Sequence, residues 1–105
     1  LEAAGFEALA TTGAGAAFMH GKPDRRLGEA ELLANIAQVC AATALPVTAD
    51  MQDGFGESPE AAARAVRLAA EAGAVGCSIE DASSVTPGRM YAPSLAAERV
   101  QAAIE

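Results

Sequence analysis

The sequence predicts an α/β fold of parallel strands alternating with helices, on three observations. Three segments share one grammar, a helix tail passing through a Gly or Pro breaker into a short apolar run. They are "EAAGFEALATT" (2–12), "AATALPVTAD" (41–50) and "AEAGAVGCSIE" (70–80). The runs are four to seven residues long and largely apolar, as expected of strands in a parallel sheet with helices over both faces. Their ends near Thr12, Asp50 and Glu80 lie 38 and then 30 residues apart, the interval of successive βα units.

Each element follows in order. "LEAAG" reads as the last turn of a helix, with Gly5 beyond its end in a positive-φ position. "FEALATT" is the first strand, and "TTGAG" after it reads as a loop offering backbone N–H groups and two hydroxyls to an anion, or as a simple turn, as most such G-x-G pairs are. "GEAELLANIAQVCAATA" is an amphipathic helix with Leu32, Ile36, Val39, Cys40 and Thr43 on one stripe. Pro46 can begin a strand but cannot continue that helix, so "PVTAD" is the second strand. In "SPEAAARAVRLAAEAGA", Ser58 caps, Pro59 takes the first helical position, and Ala62, Ala65, Val66 and Ala69 form the packing stripe. Gly73 ends the helix, "VGCSIE" is the third strand, and Ser94 after Pro93 is the expected cap of the last helix.

Composition limits the function. The 105 residues are 51% hydrophobic, enough for one core, and much of that is alanine with three Phe, one Tyr and no Trp, so close packing of small side chains is expected. A net charge of −7 argues against nucleic acid as a partner. No apolar run approaches the ~20 residues that span a bilayer, and no leader pattern opens the chain. Cys40 and Cys77 stand 37 positions apart in apolar segments, which is neither a metal-ligand spacing nor a disulfide framework. Buried thiols and a reducing cytoplasm are the expectation. The chain opens at Leu1 and closes within the helix "AERVQAAIE", so it reads as a single α/β unit over residues 1–105, incomplete at both ends.

Right-handed crossovers bring all three strand C-termini to one edge, where α/β folds place their chemistry. Asp50 and Glu80 each close an apolar strand there. Strands about 4.8 Å apart allow the two carboxylates to share one cation, and oxygen ligands with open positions suit Mg²⁺ or Mn²⁺. Solvated strand ends are the alternative. No Lys or Arg follows either strand closely, although Arg89 could reach back. The glycines of "DGFG" permit a tight turn and close approach of a ligand, but D-G is also a common surface turn. His20 reads as a loop residue, Cys77 as core, Tyr91 and Arg89 as a cover for the site or as surface. Arg64 and Arg67 read as solvent pairs with Glu60 and Glu71 along their own helix.

The order "EAAGFEALATTGAGAAFMHGKPD", then "LPVTADMQDGFGESPEAAARAVRLAAEAGAVGCSIED", resembles the isocitrate lyase and phosphoenolpyruvate mutase superfamily, in particular its short-loop phosphonomutase-like members. The resemblance implies a (β/α)₈ TIM barrel, of which this chain would carry about strands two to four. It implies that Asp50 binds Mg²⁺ directly, and that the residue at 52 and Glu80 hold it through water. Gln52 departs from the acid expected there, which removes a negative charge and should weaken the metal site. Asp53 is no substitute, since a one-residue shift points a strand side chain the other way. Thr12, Gly13 and Ala14 match donors to the substrate's carboxylate or phosphoryl oxygens, and Asp24 in "HGKPD" matches a catalytic loop aspartate; without the resemblance Asp24 is a turn residue after Pro23.

The implied activity is a C–C lyase or phosphonomutase acting on a small 2-oxo acid or phosphonate through an enolate, in a homotetramer when full length. The stretch "EDASSVTPGRMYAPS" lacks the Cys and His of the superfamily's cysteine-dependent lyases. The competing expectation, raised by Gln52, is a degenerate barrel that binds a carboxylate metabolite without turnover.

Overall fold

The computed structural model describes residues 1–105. A 3₁₀ turn, Glu2–Ala4, ends at Gly5 with φ 86°. Then come β1 (Leu9–Ala10), α1 (Gly13–Met19), α2 (Glu29–Ala41), β2 (Val47–Asp50), α3 (Pro59–Glu71), β3 (Gly76–Ser78) and α4 (Pro93–Ile104). The strands form one parallel sheet in the order β1-β2-β3, with Leu9 opposite Val47, Thr48 opposite Gly76, and Asp50 opposite Ser78. Pairing continues past the strand ends through Thr11 N to Thr48 O at 2.9 Å and Glu80 N to Gln52 O at 2.7 Å. The alternation of three βα units and the parallel order agree with the sequence reading.

The two faces of the sheet differ. Val47 and Ala49 are buried on the face that carries the helices, while Thr48 between them is exposed, as are Ala10 and Gly76 in the same register. The expectation of helices over both faces is therefore corrected. All helices lie on one side, the arrangement of a (β/α)₈ barrel wall, in which the other face looks inward. Asp50, in phase with Thr48, belongs to that inner face.

The core lies between sheet and helices. Leu32 and Ile36 of α2 meet Ala49, Met51, Ala65 and Ala69, with Ala16, Ala17, Leu27 and Ala74 closing the cluster. The small side chains let α3 approach the sheet closely. Leu32 and Ile36 are fully buried, each stabilising by about 2 kcal/mol. The Ser58 hydroxyl accepts from Ala61 N at 3.2 Å and Pro59 opens α3, as its sequence predicts. Gly73 takes φ 103° after its end.

Two local expectations fail. α1 replaces the loop foreseen at "TTGAG": glycine is a poor helix former, but the Thr12 cap and burial of Ala16 and Ala17 outweigh that penalty. Ser94 does not cap α4. The N-cap position is Ala92, because Pro93 already occupies the first turn.

Candidate active site

The inner rim is built by the end of β2. The Asp50 side chain reaches back toward the start of α1, where Oδ2 accepts from Gly13 N at 2.7 Å; Oδ1 accepts from Gln52 N at 3.0 Å. Its own amide donates to Thr11 Oγ1 at 2.9 Å. Two amides and a hydroxyl thus fix the strand end, the positioning a charged ligand requires. Gly13 lets both side chains approach the backbone at this point. A Cβ there would stand 2.9 Å from Gln52 Nε2 and 3.1 Å from Asp50 Oδ2.

Gln52 adopts φ 53°, a left-handed conformation uncommon outside glycine, and is 3% exposed. Its Nε2 is buried with no hydrogen-bond partner. An unsatisfied buried donor costs about 1–3 kcal/mol, so the position calls for an explanation. It lies beside Asp50, where a ligand could supply the missing partner.

The donors expected at Thr12, Gly13 and Ala14 are partly committed within the chain. The Thr12 hydroxyl accepts from Gly15 N at 3.2 Å as the N-cap of α1, and Gly13 N serves Asp50. Glu80 stands on the same rim, two residues beyond Ser78, which is the register partner of Asp50. It is backbone-paired with Gln52, and its carboxylate forms a salt bridge with Arg25. Arg25 therefore takes the place suggested for Arg89, which instead meets Glu57 at 3.4 Å. No group of three or more His, Cys, Asp or Glu side chains converges as a metal cage. Asp24 is exposed and lines a cavity of about 340 Å³ together with Arg25, Arg26, Ser83, Ser84 and Arg89.

The opposite side of the same loop carries a network the sequence reading missed. Asp53 is fully buried; Oδ2 accepts from Ser84 N and from the Tyr91 hydroxyl, each at 2.7 Å, and Oδ1 from Phe55 N at 3.2 Å. Burial opposes its charge, but these donors outweigh burial and hold the carboxyl below the usual carboxylate range. Tyr91 is buried, not a cover over the site, and burial together with Asp53 pushes its phenol up. Arg99 of α4, 1% exposed, donates to the carbonyls of Asp53, Gly56 and Ser58 and lies 4.5 Å from the centroid of the Tyr91 ring.

Other candidates separate clearly. His20 is exposed at the end of α1. The Cys77 thiol is raised by burial, consistent with packing and not with a thiolate. Arg64 pairs with Glu29 of α2 at 2.7 Å, joining two helices, where pairing along its own helix was expected.

The one-sided helical layer over parallel strands fits a segment of a (β/α)₈ barrel wall. Residues 1–105 match the family model for phosphoenolpyruvate phosphomutase, and the chain belongs to this family, within the PEP mutase/isocitrate lyase superfamily. It is similar to the "Probable 2-methylisocitrate lyase 2" of Corynebacterium glutamicum, 39% identical over 90 residues, covering 85% of this chain and 28% of that protein. Among solved structures it resembles a candidate lyase/mutase of Burkholderia cenocepacia J2315, with 51% identity, TM-score 0.87, and coverage of 96% of this chain and 36% of the other. A 2,3-dimethylmalate lyase of the superfamily gives 30% identity and TM-score 0.86 over 98% of this chain and 36% of its own. The chain thus spans about a third of the length of these relatives.

Proposed function

We propose that this chain forms part of a Mg²⁺-dependent lyase or phosphonomutase-type enzyme that makes or breaks a C–C or P–C bond in a small 2-oxo acid or phosphonate through an enolate. The observation that carries the proposal is the Asp50 carboxylate, oriented by two backbone amides beside the unpartnered Gln52 amide nitrogen, with Glu80 just beyond the next strand. Phosphonopyruvate hydrolase, solved with oxalate and Mg²⁺, shares this fold at TM-score 0.88 and 22% identity, which supports the fold.

The residues fit a hard divalent cation. Asp50 offers an anionic oxygen and Glu80 adds a second carboxylate on the same rim, enough for a cation that keeps most of its waters. The buried Gln52 Nε2, a donor without a partner, suits an acceptor oxygen of a ligand held beside the cation. Bound there, Mg²⁺ would supply positive charge to the oxygens of the developing enolate. The chain's own residues do the rest. The Gly13 amide keeps Asp50 in one orientation, the start of α1 at Thr12–Ala14 faces the acid group of the substrate, and Asp24 assists at the reacting centre. The stretch 80–94, without Cys or His, favours phosphonomutase-like or related members over cysteine-dependent lyases. The whole enzyme is proposed to be a cytoplasmic homotetramer in which residues 1–105 contribute one part of the barrel domain.

A second reading, a carboxylate-binding barrel without turnover, is favoured by Gln52. Calorimetric titration of the purified protein with oxalate decides between them. The proposal expects binding that requires Mg²⁺ and is lost in Asp50→Ala, and a gain in Mg²⁺ affinity and in activity for Gln52→Glu. Oxalate binding that ignores both Mg²⁺ and Asp50→Ala would overturn it, while a Gln52→Glu protein with unchanged affinity and no activity would favour the second reading.

A further inference from the structure

Arg25 is a non-glycine residue at φ 60°, an uncommon left-handed conformation. Its guanidinium makes a salt bridge to Glu80 and donates to Ala82 O at 3.1 Å, so it ties the loop between α1 and α2 to the strand end after β3, 55 residues away in sequence. Asp24 is the preceding residue, and both line the arginine-rich cavity of about 340 Å³. Two cations therefore have a claim on one carboxylate. A guanidinium next to Glu80 neutralises the charge that would attract a divalent ion, and like charges placed at a few ångströms repel.

We propose that Arg25 competes with the divalent cation for Glu80: it occupies the carboxylate while the cation is absent and is displaced when the cation binds, so that cation occupancy and the position of the Asp24 loop are coupled. This rests on the reading of Glu80 as part of the cation site. Coupling is reciprocal, so what releases the loop on cation binding must also weaken cation binding while the loop is latched. About a third of each partner's side chain is exposed, which limits the size of the effect.

The test measures free Mn²⁺ by electron paramagnetic resonance with the purified protein, Arg25→Gly, Arg25→Lys and Asp50→Ala. Glycine accepts the left-handed backbone and removes only the side chain. The expected result is Mn²⁺ binding roughly threefold to tenfold tighter in Arg25→Gly, and affinity near that of the parent in Arg25→Lys. An independent readout uses the unaltered protein, in which tryptic cleavage after Arg25 and Arg26 should become faster as Mn²⁺ is added. Equal or weaker Mn²⁺ binding by Arg25→Gly, or cleavage that Mn²⁺ leaves unchanged or slows, would show that Arg25 orients Glu80 instead of competing for it, and the proposal would fall. Asp50→Ala binding Mn²⁺ as tightly as the parent would instead remove the site itself, so the two failures are distinguishable.

Discussion

Gln52 and Asp53 are neighbours in one loop and both are buried, yet one has a side-chain amide without a partner and the other a carboxylate with three donors. The difference follows from the turn after β2, in which the left-handed Gln52 puts its side chain beside Gly13 with Asp50, while the Asp53 carboxylate reaches Ser84 and Tyr91 and its carbonyl meets Arg99. A fully satisfied polar network rigidifies and fixes one arrangement, whereas a buried unsatisfied group calls for an explanation, of which a bound ligand is one. One side of the loop is an anchor, and the other carries the proposed site.

The largest stability effect should fall on the anchor. Arg99→Ala removes a buried cation from three carbonyls and from the Tyr91 ring, and is expected to cost about 3–5 kcal/mol, measured by denaturant unfolding. A cost under about 1 kcal/mol would mean that water replaces the guanidinium easily and that the anchor is weaker than its geometry implies.

The neighbouring pair provides the sharper contrast. Asp53→Asn should cost about 2 kcal/mol near neutral pH, whereas Gln52→Met, which removes the orphaned amide at similar volume, should be within about 0.5 kcal/mol of neutral or stabilising. The pH dependence carries a sign. The Asp53 carboxyl is depressed in the folded state, so its contribution is fully present above the ordinary carboxylate pKa of about 3.9 and is lost as pH falls through the lower folded value. Unfolding curves between neutral pH and pH 2 should therefore show a steeper acid loss in the parent than in Asp53→Asn. Parallel curves, or equal costs at the two positions, would erase the distinction between the two sides.

The anchor and the site were unequally legible in the sequence. Helix caps and breakers are local, so Ser58, Gly73 and the strand end at Asp50 could be read from a few adjacent residues. The Asp53–Tyr91–Arg99 network is non-local: Arg99 lies on a helix whose polar residues look solvated, and its three acceptors are backbone carbonyls more than 40 positions earlier. No side-chain pattern announces a carbonyl acceptor. Its one local trace was that Asp53 had to point away from Asp50. Arg25 was hidden for a similar reason, because its partner Glu80 lies 55 positions away and nothing in "PDRRLG" announces either that pairing or the left-handed backbone. Arg64 misled through proximity, since two acids on its own helix were nearer in sequence than Glu29. The covering of both sheet faces was an inference from apolar runs, and the exposed Thr48 between buried Val47 and Ala49 shows how a half-open strand can resemble a buried one over so short a length.

The central claim is that the inner rim at Asp50, Gln52 and Glu80 holds a divalent cation. Anomalous diffraction from crystals of the purified protein grown with millimolar Mn²⁺ tests it most directly. The account predicts one peak at coordinating distance from the Asp50 carboxylate, with Arg25 drawn away from Glu80. A map with no peak at Asp50, or with Mn²⁺ bound only elsewhere on the acidic surface, would contradict it.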